Sequence, residues 1–237
     1  MASTFKFLWR PFSFVSFPMS LVKKKNSYFN MMNITYQVKN AVYVNLTNRC
    51  PCDCAFCLRK HGAGVYGSGS LWLEREPTVK EVIDSFAQWN LSKYPEVVFC
   101  GYGEPTERLD ALLEVASWLR ANHPNLQIRI NTNGLADLIA GEPTAPRFKG
   151  LVDTLSISLN TPNSDEYLAI CRPRFGVAAY PAMLRFAEEA KEYVPKVVMS
   201  IVGEPVTSLE KQAACQAICD RLGVSLRIRP YERITRS

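Results

Sequence analysis

From Ala41 to Arg229 the sequence alternates short β-forming runs with stretches of helical periodicity. This alternation limits the fold more than any other feature. The runs are Ala41–Thr47, Glu96–Cys100, Gln127–Asn131, Thr154–Leu159, Lys196–Val202 and Ser225–Arg229. Strands that alternate with helices form parallel βα units, each about 30 residues long. A closed eight-unit barrel takes about 250 residues. That is more than this 237-residue chain offers once its first 31 residues are set apart. The expected fold is therefore α/β: an open, partial (βα)6 TIM-like barrel. It forms a single domain over residues 32–237, with an N-terminal extension over 1–31. A flat doubly wound sheet is the second choice.

The helices are expected between the strands. Thr78 with Glu81 three residues on is a capping-box pattern, and the helix behind it can run to about Asn90. Leu109, Leu112, Leu113, Ala116 and Leu119 share one helical face. Tyr180–Tyr193 and Ser208–Leu222 read as helices, with Gly223 as a stop signal. Between Ala136 and Phe148, Gly141, Pro143 and Pro146 leave room only for a short helix.

The formal charge of +6 is unevenly placed. Residues 1–30 hold five basic side chains and no acid, which leaves 23 basic against 22 acidic residues beyond them. That balance calls for no nucleic-acid partner. The leader is aromatic as well as basic, but Arg10, Pro11 and Pro18 interrupt its apolar run. It is too broken to span a bilayer, and it reads as a dispensable extension or a short targeting signal. The eight cysteines are clustered rather than spread along a small, loop-rich chain, so disulfides are not expected. A reducing, cytoplasmic setting with metal-ligating thiolates follows.

Four of those cysteines fall in "NRCPCDCAFCLRK", directly after the first strand. Cys50, Cys54 and Cys57 are spaced C-x3-C-x2-C. Three thiolates on one loop suit an iron–sulfur cluster and leave one iron open. The competing reading is zinc held by Cys50, Cys52, Cys54 and Cys57. Structural zinc usually takes two short knuckles from separated segments, and no second knuckle exists here. The spacing favours the cluster, with Cys52 as the non-ligand. Cys100 and Cys171 read as core or loop thiols. Cys215 and Cys219, one turn apart on a helix, do not complete a second cluster. In a parallel α/β sheet, ligands bind at the carboxyl ends of the strands. The cysteine loop and the "GYGEPT" after the second strand both belong there.

"CPCDCAFC" followed by "GYGEP" resembles the radical S-adenosylmethionine (SAM) superfamily. The likeness extends over roughly Ala41 to Tyr231. Within the superfamily, "YVNLTNRCPCDCAFCLR" looks most like the TatD-associated radical SAM proteins, relatives of the glycyl-radical-enzyme activases. The resemblance implies a [4Fe–4S] cluster on Cys50, Cys54 and Cys57, with SAM chelating the open iron. It further implies reductive cleavage of SAM to a 5′-deoxyadenosyl radical that abstracts hydrogen from an unknown substrate. Phe56 would pack near the adenine. Gly103, Glu104 and Pro105 would fill the family's Gly-Gly-Glu-Pro role toward the methionine amino group, with Tyr102 replacing a glycine.

Asn131, Ser158, Asn160 and, more weakly, Ser200 stand at strand ends where the activases contact SAM; Tyr231 is a further adenine neighbour. The implied partners are an external one-electron donor of flavodoxin or ferredoxin type and a TatD-like hydrolase. Two other functions stay open at this point. One is a zinc-stabilised α/β binding module, and the other is a cluster-binding protein that acts as a non-catalytic partner. Arg172 and Arg174 in "CRPRFG" are candidates for holding an anionic substrate, although a solvated loop is the plainer reading. His61 is a candidate acid/base group in a glycine-rich loop.

Overall fold

The structure, a computed structural model, describes residues 32–60 and 67–231. The expectations for the extension and for His61 fall outside the described residues. The chain forms β1 (Thr35–Val38), β2 (Ala41–Val44), α1 (Val79–Ser85), β3 (Glu96–Phe99) and α2 (Leu109–Asn122). There follow β4 (Gln127–Thr132), α3 (Ala136–Ala140), β5 (Thr154–Ser158) and α4 (Ser164–Cys171). The last elements are α5 (Ala179–Ala190), β6 (Lys196–Val202), α6 (Leu209–Leu222) and β7 (Ser225–Arg229).

All seven strands lie in one sheet in sequence order, and β2 to β7 are parallel. This order decides between the two expected architectures. A doubly wound sheet reverses direction once and covers both faces. Here every crossover advances the same way, and right-handed crossovers then put all helices on one face. The large apolar core accordingly packs one side of the sheet, with Val97, Phe99, Ile128, Ile130, Leu155, Ile157, Met199 and Ile201 facing the helices. The alternate residues of β4 and β5 (Arg129, Asn131, Thr154, Ser156 and Ser158) project to the other face. The architecture is the partial barrel.

Local signals hold where they were strong. Thr78 and Glu81 form the reciprocal capping box. Ser208 caps α6, and Gly223 ends it at φ 69°. The segment after β4 yields only α3, stopped by Gly141 at φ 75°, and one 3-10 turn.

Two elements lie outside the expectation. β1 pairs antiparallel with β2 through a two-residue Lys39–Asn40 connection, with Lys39 at φ 53°. A lysine in that conformation gives no hairpin signal of the Asn-Gly kind, so the strand was not legible. α4 did carry a signal, because the Asn163 side chain accepts hydrogen bonds from the backbone N–H groups of Asp165 and Glu166.

Candidate functional site: the cysteine loop and the Gly-Glu-Pro turn

The chain leaving β2 is pinned before it reaches the cysteines. Asn45 is fully buried and donates to the Leu71 carbonyl at 2.7 Å. Thr47 donates to Glu76 at 2.7 Å, and Asn48 bonds both backbone groups of Leu73, at 2.7 and 3.1 Å. The loop itself is held from the far side by the end of α4. Asp53 N–H donates to the Cys171 carbonyl at 3.1 Å and Ala55 N–H to Ile170 at 2.8 Å. Arg174 N–H donates to the Pro51 carbonyl at 2.7 Å. The element missing from the sequence reading is thus one jaw of the clamp on the cysteine loop.

The thiols differ in their surroundings. Cys52 is buried in the main core, whereas Cys50, Cys54 and Cys57 are part-exposed. The single S–H of Cys52 is within reach of both the Cys50 and the Cys54 sulfur and can serve one at a time, which raises its own pKa and helps to lower theirs. Cys54 is lowered first by the Cys171 thiol, whose own pKa is raised by the same bond. Burial raises Cys57, which also feels charge on Cys54 and Cys50. The three thiols of the motif therefore sit within electrostatic range of one another. They do not already converge: among the described residues no three Cys, His, Asp or Glu side chains form a metal-binding group. Thiolate donors on one loop nonetheless have the chemistry that iron–sulfur clusters require. Cys52 sits instead among Asn133, Tyr167 and the two flanking thiols.

The turn after β3 explains its own residues one by one. A Cβ on Gly101 would lie 2.0 Å from Asn45 Oδ1. Tyr102 joins Tyr36, Val38 and Leu71 in a small second apolar cluster. A Cβ on Gly103 would lie 2.3 Å from the Thr47 carbonyl and 2.5 Å from that of Arg49. The Glu104 N–H donates to that Arg49 carbonyl at 2.8 Å. Glycine at 103 is thus required by the neck of the cysteine loop itself.

Glu104 is only 4% exposed. Its Oε1 accepts from Thr106 N at 3.2 Å, Thr106 Oγ1 at 2.8 Å and Thr132 Oγ1 at 2.7 Å. Its Oε2 accepts from Asn133 N at 2.7 Å. Burial pushes this carboxyl up, and the hydrogen bonds oppose the shift. The carboxylate ties the end of β3 to the end of β4. Its Oε2, with a single partner, keeps acceptor capacity.

The remaining expected residues are placed as follows. Asn131 lies beside Ser156 on the polar face, its amide bonded to the Cys100 thiol and its Oδ1 buried with no hydrogen-bond partner. Ser158, the last residue of β5, is the register partner of Ser200, two residues before the end of β6. β5 stops at Ser158, and Asn160 turns away at φ 65° with its amide donating to Cys171 Sγ at 3.4 Å. Strand alternation therefore does not extend to Asn160. Phe56 is 38% exposed and Tyr231 46% exposed. Arg174 pairs with the buried Glu107 at 3.2 Å and lies over the Phe175 ring. Arg172 pairs with Asp53 at 3.9 Å. Both arginines thus pair with acids beside the α4 end, and both side chains are more than half exposed.

Comparison with known proteins follows from this geometry. The Radical SAM superfamily model matches residues 44–217. A GTP 3′,8-cyclase of Lactiplantibacillus plantarum is 28% identical over 161 residues, spanning 68% of this chain and 45% of that protein. A radical SAM methyltransferase from Sphaerobacter thermophilus superposes with a TM-score of 0.54 at 19% identity, covering 83% of this chain and 57% of the other. The structure of anSMEcpe with bound AdoMet superposes with a TM-score of 0.54 at 17% identity, covering 82% and 53%. At such identities the two structures speak for the fold. The chain spans about half the length of these relatives.

Proposed function

The chain belongs to the radical SAM superfamily, whose members use a [4Fe–4S] cluster and SAM, and from that premise we propose that it is a hydrogen-abstracting radical SAM enzyme. One observation carries the reading. The Gly-Glu-Pro turn is locked to the neck of the cysteine loop, through Gly103 against two carbonyls and Glu104 N–H on Arg49. Two motifs about 50 residues apart in sequence therefore form one rigid body at the carboxyl ends of parallel strands, where such sheets bind ligands.

On this reading Cys50, Cys54 and Cys57 would hold the cluster, which would leave a position for SAM. When bound and reduced, this pair supplies a 5′-deoxyadenosyl radical that takes a hydrogen atom from the substrate. The protein's part is placement. The Gly103 backbone and the remaining acceptor capacity of Glu104 Oε2 would serve the SAM ammonium, with the unpartnered Asn131 Oδ1 as a further acceptor. Ser158 and Ser200, in register on the polar face, would line the SAM side with Asn160 beside Cys171, and Phe56 would lie against the adenine. Cys52 and Cys171 stay as thiols and orient the ligating sulfurs by S–H donation. Among the described residues no helix is long and apolar enough to cross a membrane. The electron comes from an external flavodoxin- or ferredoxin-type donor. A TatD-like hydrolase partner and a cytoplasmic location complete the proposal.

Anaerobic reconstitution with iron and sulfide tests it. About four irons per chain and formation of 5′-deoxyadenosine from SAM on dithionite reduction are expected. A colourless protein with one tightly held zinc would overturn the reading. A cluster that leaves SAM intact would leave a non-catalytic partner protein.

A further inference from the structure

The polar face of the sheet carries a second feature that the cysteine site does not use. A cavity of about 390 Å³ opens at the amino-terminal ends of β3 to β7. Glu96, Thr154, Lys196 and Ser225, the first residues of β3, β5, β6 and β7, contribute to its wall. The thiols lie at the opposite strand ends. Three cations face the cavity, Arg129, Lys196 and Arg227, against one carboxylate, Glu96. That carboxylate is already spent, because Arg129 grips both of its oxygens at 2.7 and 3.0 Å. The side chains of Lys196 and Arg227 have no ion-pair or hydrogen-bond partner among the described residues. The hydroxyls of Thr154, Ser156 and Ser225 also line the space, and none is bonded to another protein group among the described residues.

Lys196 and Arg227 stand on neighbouring strands, four residue steps out of register, and both line the one cavity. Its wall holds no acid besides Glu96. An excess of two positive charges, ringed by hydroxyl donors, complements a dianion. An arginine fork and a lysine point charge are the side chains that bind phosphate oxygens. The volume falls within the range of about 300–1,000 Å³ typical of small-molecule sites.

We propose that this cavity binds the phosphoryl group of a small phosphorylated ligand, through Lys196, Arg227 and the three hydroxyls. Resting on the radical SAM reading, that ligand is the substrate. Its phosphate is held between Lys196 at the foot of the sheet and Arg227, whose side chain enters the cavity from the level of Ser200, and its other end rises along the polar face toward Ser158. Thr154 and Ser158 are four residue steps apart, about 13 Å at 3.3 Å per residue. That length suits a sugar phosphate or a nucleotide rather than free phosphate.

The test is titration of inorganic phosphate into the full chain, by calorimetry and by thermal unfolding, against sodium chloride at equal ionic strength. Wild-type protein should bind phosphate and gain thermal stability that chloride does not supply. The Lys196→Ala/Arg227→Ala variant should bind about tenfold more weakly or not at all. Without phosphate it should unfold close to wild type, because neither side chain holds an ion pair or hydrogen bond among the described residues. A second measurement needs no variant: phosphate, but not chloride, should slow modification of Lys196 by an amine-reactive reagent. Absence of phosphate binding, equal binding in the variant, or unprotected Lys196 would overturn the site. A protein that cleaves SAM yet ignores phosphate overturns the site and leaves the radical reading standing. One that binds phosphate through these residues but leaves SAM intact keeps the site and removes its use for a radical substrate.

Discussion

The tripeptide Gly-Glu-Pro follows a parallel strand twice in this chain, after β3 at residues 103–105 and after β6 at 203–205. The two turns have opposite surroundings. Glu104 is buried with four hydrogen bonds, whereas Glu204 is exposed. Gly103 is hemmed in by two backbone carbonyls. A Cβ on Gly203 would meet the half-exposed Ile228 side chain at 3.0 Å and the Arg229 carbonyl only at 3.5 Å. The cause is the neighbour. The first turn lies between the cysteine-loop neck that follows β2 and the end of β4, and the second lies next to the edge strand β7. An identical motif is buried and tied into its surroundings only where the adjoining loop encloses it.

The largest test of this contrast is the loop itself. Cys50→Ala, Cys54→Ala and Cys57→Ala should each abolish iron incorporation, while Cys52→Ala retains it. Equal iron loss in the Cys52 variant would show that the buried thiol is a ligand after all. Next comes Gly103→Ala. Backbone atoms at 2.3 and 2.5 Å cannot swing aside, so the variant should lose about 3 kcal/mol or more in urea denaturation and reconstitute poorly. Gly203→Ala should lose less than about 1 kcal/mol, because Ile228 can rotate. Similar losses in both would erase the distinction.

Glu104→Gln should follow at about 1–3 kcal/mol. If the amide oxygen keeps the three bonds of Oε1, its NH2 faces the Asn133 N–H, donor against donor. The same variant should weaken SAM binding about tenfold or more without loss of iron, whereas Glu204→Gln should change neither quantity. Unchanged SAM affinity in the Glu104 variant would remove that carboxylate from the cofactor site.

The smallest effect is a pH dependence. Burial raises the Glu104 carboxyl, so the folded state binds this proton more tightly than the unfolded one. Its stabilising contribution is complete below the ordinary carboxylate pKa. It declines as pH rises through the raised value. Urea titrations between about pH 4 and 8 should show this decline in wild type and its absence in Glu104→Gln. A decline of equal size in both would assign it to other groups.

Much of the fold was legible because its signals are local. Strand periodicity, the Thr78–Glu81 capping box, the Ser208 cap and the Gly223 stop each depend on a few consecutive residues. The hairpin strand β1 was not, since Lys39 takes a left-handed conformation that its side chain does not announce. In the site, the spacing of Cys50, Cys54 and Cys57 was readable, as was the oddity of Cys52.

Sequence alone settled the parallel α/β class, the three-cysteine loop and the turn that follows the next strand. Each is a pattern of residue types at short separation, and backbone geometry turns such spacing directly into proximity. Tertiary structure decided the rest. It gave Gly103 the Thr47 and Arg49 carbonyls, and Glu104 the β4 donors Thr132 and Asn133. It set Cys171 against Cys54 and turned Arg174 onto Glu107. It also brought Arg129, Lys196 and Arg227 from three strands to one cavity. Those contacts join residues dozens of positions apart. They are fixed by the order and curl of the sheet, which local side-chain preferences do not encode.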